Sequence, residues 1–138
     1  MSTKSDGVDP LKLALQIVLG LLSLVGLWAG VMGVTAGATQ LFEGSPPPGV
    51  DNQARYLAGM YFIFPFMLWW IIPSIERHPI PIRIIAAGMM CGGIGRLISL
   101  MQYGLGDDGQ LISMGVEICA PLLIYWQRLV ALRHASTA

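Results

Sequence analysis

Two side chains of opposite charge lie inside long apolar stretches of the sequence. Arg96 sits in the run from Gly88 to Tyr103, and Glu117 in the apolar run that follows it. A charge at membrane depth is costly, so such a residue normally faces a protein interior and finds a partner there. If the two runs are antiparallel helices that end near Tyr103 and restart near Gln110, each charge lies about seven residues from the turn. At 1.5 Å rise per residue, both are then roughly 10 Å deep and at the same level. The spacing therefore predicts a buried Arg96–Glu117 pair facing a helix bundle's interior. Ser99 falls on the face of Arg96. Tyr61, whose carbonyl loses its usual helical donor to Pro65, and Trp28 come to a similar depth, with Arg55 and Asn52 above them toward the outside. Pro121, four residues after Glu117, is expected to leave the Glu117 carbonyl unpaired as well.

These residues permit a limited chemistry. Arg96 and Glu117 can neutralise each other and fix the register of two helices, as a structural ion pair. Alternatively, two arginines facing one glutamate leave a positive surplus, which an anionic lipid headgroup or a quinone-like carbonyl compound would complete. Movement of protons or solutes through the bundle is a third use. No Ser-His-acid set, Cys-x-x-Cys, phosphate loop or membrane-embedded histidine is present, so the residues name no reaction and the reading leans away from an enzyme. His78 and His134 lie in polar segments, and no metal or other cofactor is implied. Cys91 and Cys119 are out of level for a disulfide and read as packing residues. The basic residues are scattered, which excludes nucleic acid as a partner.

The elements that must position these residues follow from composition. With 54% hydrophobic and 12% charged residues, the 138-residue chain departs far from the quarter-charged average of soluble domains. Four apolar blocks are long enough to span a bilayer, at about 11–36, 53–75, 82–103 and 111–132. They use nearly the whole chain, so residues 1–138 are expected to form a single integral membrane domain. Because backbone groups in lipid must be satisfied internally, the expectation is an all-α, four-transmembrane-helix up-down bundle. Lys4, Lys12, Arg77, Arg83, Arg128 and Arg133 fall on one side of such a bundle. Glu43, Asp51, Asp107 and Asp108, with Arg55 alone, fall on the other. Positive charge on the inside puts both termini in the cytoplasm. Ala36-Gly37-Ala38 looks like a small-residue cleavage site, but the preceding apolar run is too long for a signal core, so it reads as an uncleaved span.

Smaller signals refine the picture. Gly26, Gly30, Gly33 and Gly37 share one helix face and predict a close helix contact. Pro46-Pro47-Pro48 predicts an extended, exposed connection, after which Asp51 or Asn52 would cap the second helix. Asp9-Pro10 marks the first helix start, and Trp69-Trp70 an interface belt.

Taken together, Asp51-Asn52-Gln53-x-Arg55-Tyr56-Leu57-x-Gly59, Gly92-Gly93-x-Gly95-Arg96-Leu97-x-Ser99, Glu117 with Pro121, and Trp126-Gln127-Arg128 resemble a family of small bacterial four-helix membrane proteins. That family bears only a domain-of-unknown-function label and is similar to the DoxX-like superfamily. The likeness covers about Leu11 to Arg133. It implies a four-helix, multi-pass protein of the bacterial inner membrane and supplies no activity. Some DoxX relatives are linked to quinone-coupled sulfur oxidation, and no residue here carries that chemistry over. The partners to expect are the lipid bilayer, a larger membrane complex or further copies of the chain, and a lipid or quinone.

Overall fold

In a computed structural model, residues 9–39, 42, 44–105 and 108–137 are described, and among them there is no strand. Lys4, Glu43 and Asp107, which entered the charge comparison, lie outside the described residues. The helices are α1 (Pro10–Ala36), α2 (Pro48–Tyr61), α3 (Ile63–Ile71), a 3-10 segment (Ile72–Arg77), α4 (Pro79–Tyr103), α5 (Asp108–Cys119) and α6 (Pro121–Thr137). Three stretches, Pro10–Ala36, Pro48–Arg77 and Pro79–Tyr103, are long and apolar enough to cross a membrane. Gly109–Cys119 and Pro121–Ser136, bent by 44°, make a fourth if counted as one span.

The helix ends follow from local chemistry. Asp9 caps α1: its carboxylate accepts the Leu11 N–H at 2.9 Å and its carbonyl accepts the Leu13 N–H at 3.0 Å. The second helix starts earlier than the sequence suggested. Pro48 occupies its first turn, where the missing N–H costs nothing, and no side chain caps it. The extended proline segment is correspondingly shorter, with Pro47 at φ −56 and ψ 135. Pro65 interrupts the second span one turn upstream, at Phe62, and Pro121 interrupts the fourth at Ala120. The expected unpaired carbonyl at Glu117 is not found. The Ala120 N–H reaches back to it at 3.2 Å, because the turn tightens where proline removes the longer bond.

The chain divides into two compact units, Gln16–Pro73 and a second formed by Met1–Leu15 with Ser74–Ala138. In the first, α1 runs antiparallel to α2 and α3. Gln16 Nε2 donates to the Ile72 carbonyl at 2.8 Å, and Trp69 Nε1 donates to Ser23 Oγ at 2.9 Å. Further along, Gly26 faces Pro65, and Gly30 faces Phe62 and the Ala58 carbonyl. At Gly33 the approach is closest, since a Cβ there would overlap the Ala58 methyl. The glycine face therefore lets two helices meet almost backbone to backbone. Trp69, placed by sequence at an interface, has its indole N–H engaged within the hairpin, and both it and Trp70 keep exposed ring surface.

In the second unit, α4 packs on both α5 and α6. Its core includes Ile82, Ile85, Ala86, Leu123 and Val130. Gly93 is the tight point: a Cβ added there would sit 3.0 Å from Glu117 Cβ and 3.1 Å from the Ile118 nitrogen. Cys91 and Cys119 are free and exposed, so neither is the packing residue that its apolar surroundings in sequence implied.

Candidate functional site

Arg96 projects from α4 and Glu117 from α5. Arg96 Nε donates to Glu117 Oε2 at 3.0 Å. Gly92 and Gly93 bring the carboxylate in, Gly93 through the close contact with Glu117 Cβ and Gly92 by leaving room beside its oxygens. The protein does not enclose the pair, which departs from the expectation of a buried one. The Glu117 side chain is 15% exposed and that of Arg96 is 42% exposed. Two antiparallel helices joined by a short connection can align the charges but cannot wrap a guanidinium.

Beyond Arg96 toward the connection lies an open pocket of about 180 Å³. Its walls are Arg96, Ser99 and Gln110 on the polar side, with Leu100, Leu111 and Met114 on the apolar side. Among the described residues Arg96 has only Glu117 as a partner, so its terminal nitrogens have no protein acceptor.

Arg55, Asn52 and Tyr61 belong to the other unit. Arg55 is not the surplus cation that the sequence suggested. Its Nε donates to Asp51 Oδ2 at 2.8 Å, and Nη1 donates to the carbonyls of Val34 at 2.5 Å and Thr35 at 3.0 Å. Asp51 is not the cap of its own helix either; it accepts the Ala38 N–H at 3.0 Å. Together they close the end of α1, where Gly37 takes the positive φ of 61 that a side chain would resist. Asp51 is thus the carboxylate that balances Arg55, so two arginines do not share one glutamate. Asn52 is exposed on α2. Tyr61 ends α2 and meets the Phe64 ring edge-on, with centroids 6.2 Å apart.

A second polar cluster went unnoticed in the sequence. Glu76, whose side chain is only 6% exposed, pairs with Lys12 at 3.0 Å. Buried Gln127 donates to the carbonyls of Ile75 at 3.1 Å and Glu76 at 3.4 Å. Trp126 Nε1 donates to the Leu11 carbonyl at 3.2 Å. Glu76 in a charged turn and Gln127 near a helix end look like ordinary surface residues in sequence. The one available signal was Lys12 just inside the first apolar run, a cation in want of a partner.

Fold and site thus define an all-helical chain with three or four membrane-length apolar helices and one half-exposed ion pair beside a pocket. The chain belongs to the family Domain of unknown function (DUF4345), whose model matches residues 14–127. That range includes the ion pair, the pocket, Arg55 and Gln127. No curated protein and no solved structure matches the chain.

Proposed function

We propose that this is a multi-pass protein of the bacterial inner membrane that binds a small amphipathic ligand in the pocket at Arg96, Ser99 and Gln110. The observation that carries the reading is the partial use of Arg96. One nitrogen is engaged by Glu117, while the rest of the guanidinium adjoins an open pocket with an apolar wall. A structural pair has no need of such an opening. In this reading the chain is one integral membrane domain, an up-down bundle of four spans with both termini cytoplasmic, and the DoxX-like resemblance belongs to the same proposal. Topology draws support from the basic residues gathered in Lys12, Arg77 and Arg133, and from Arg133 lying 3.9 Å from Asp9.

The tight contact of Gly93 with Glu117 and Ile118 favours a second reading, in which the pair only fixes the α4–α5 register within a non-enzymatic accessory subunit of a larger complex. Small-molecule analysis of gently purified protein separates the two. Wild type should carry a stoichiometric amphiphile. The double variant Arg96→Leu/Glu117→Leu, which removes both charges together and leaves none unpaired, should fold and lose it. Wild-type protein that brings down a stable partner protein but no small molecule would replace the binding reading with the structural one.

A further inference from the structure

The charge balance around the pocket restricts what it can take. Among the described residues that line it, Arg96 is the one that carries a charge, and Glu117 already compensates it at 3.0 Å. Arg55 adds nothing to the balance, because Asp51 and two carbonyls engage it within its own unit. An anionic headgroup would have to compete with Glu117 for the guanidinium and leave a net negative charge in a medium of low dielectric, where an unpaired charge is costly. An uncharged acceptor meets no such penalty. The free guanidinium nitrogens of Arg96 and the hydroxyl of Ser99 are donors on one helix face, three residues apart, and a carbonyl oxygen can accept from either.

Size points the same way. At about 180 Å³ the pocket is smaller than the roughly 300–1,000 Å³ of sites that enclose a whole ligand. It holds one compact head. The rest of the molecule must lie outside, on the exposed apolar surface of the two helices that carry the site, to which Leu97, Met101 and Ile112 belong.

We propose that the site selects an uncharged amphiphile with a carbonyl or ester head and a hydrocarbon tail, and discriminates against anionic ones. This rests on the binding reading above and adds the ligand's chemical class. The test is equilibrium binding to the full chain in nanodiscs of zwitterionic lipid, with two probes of similar chain length, methyl dodecanoate and dodecanesulfonate. The ester should bind saturably, about tenfold or more tighter than the sulfonate, and without response to added salt, since no ligand charge is there to be screened. Arg96→Lys, which keeps the charge but loses the fork of donors, should weaken ester binding about tenfold. Met114→Trp, which fills the pocket and leaves the ion pair in place, should abolish it. Tighter, salt-sensitive binding of the sulfonate would overturn the inference and leave the binding reading standing. Saturable ester binding unchanged by Met114→Trp would place the ligand elsewhere and overturn both. The same holds if neither probe binds in a manner that depends on Arg96 and the pocket.

Discussion

Gly33 offers a sharp test of the hairpin formed by α1 with α2 and α3, because a methyl there has no space. The ideal Cβ overlaps that of Ala58 outright, and Ala58 Cα lies 3.7 Å away, so the helices must separate to accept it. Overpacking of this kind costs about 1–3 kcal/mol. Alanine in place of glycine within a helix returns about 1 kcal/mol. Gly33→Ala should therefore be neutral to destabilising by about 2 kcal/mol in the wild-type background. In an Ala58→Gly background the overlapping methyl is gone, and the same substitution should stabilise by about 1 kcal/mol. The difference between the two backgrounds, about 1–3 kcal/mol, is the coupling energy of the contact. Reversible unfolding in mixed detergent, followed by far-UV circular dichroism, measures all four proteins of the cycle. Equal effects of Gly33→Ala in both backgrounds would show that the helices do not meet there, and the close-packed hairpin would be refuted.

Other substitutions probe the remaining contacts. Arg55→Leu strips the donors from the Val34 and Thr35 carbonyls and should cost about 1–2 kcal/mol; Asp51→Asn should speed amide exchange at Ala38, and unchanged exchange would remove the cap. Gln127→Leu leaves the Ile75 and Glu76 carbonyls without that donor, for a loss of about 1–3 kcal/mol in the same unfolding assay, whereas a loss near zero would mean that water replaces the amide. With Cys91 and Cys119 replaced by alanine, a single cysteine at Ser45 should react with an impermeant maleimide from outside, and one at Ser136 only after permeabilisation. The reverse pattern would invert the proposed topology.

What is legible in the sequence is whatever a long apolar run enforces. The runs mark the long helices to within a few residues at most ends, because apolar surroundings leave the backbone to satisfy its own hydrogen bonds. The glycine face of α1 was readable for a related reason: small residues at helical spacing have no advantage against lipid. Arg96 and Glu117 stood out because charges are rare at that depth, and equal distance from a short connection was enough to bring them together. The polar ends of the helices were less legible. Asp51 was read as a cap for the helix it sits on, whereas it serves the end of the preceding one, a partner thirteen positions back that no local pattern encodes. With Asp51 assigned to its own helix, Arg55 has no acidic neighbour in sequence to balance it, and the contact between them is what makes it neutral. The roles of Glu76 and Gln127 are not legible because their partners, Lys12 for Glu76 and the Ile75 carbonyl for Gln127, lie more than fifty positions away. The openness of the Arg96 pair depends on how far two helices can enclose a long side chain, and spacing along one strand of sequence carries no record of that.

The bond from Trp126 to the Leu11 carbonyl joins positions 115 residues apart, and its unit borrows the first turns of α1 from a chain that otherwise resumes only at Ser74. During synthesis, everything that Gln16–Pro73 requires has been made before that resumption. Lys12 meets its partner Glu76 later, and Leu11 meets Trp126 later still, roughly 6–23 s after its own synthesis at about 5–20 residues per second. Through that interval the start of α1 is without the partners that it has in the finished unit. Premature release of the nascent chain before α6 would thus yield a product with one finished unit and one that cannot close, which is the kind of species that quality-control proteases recognise.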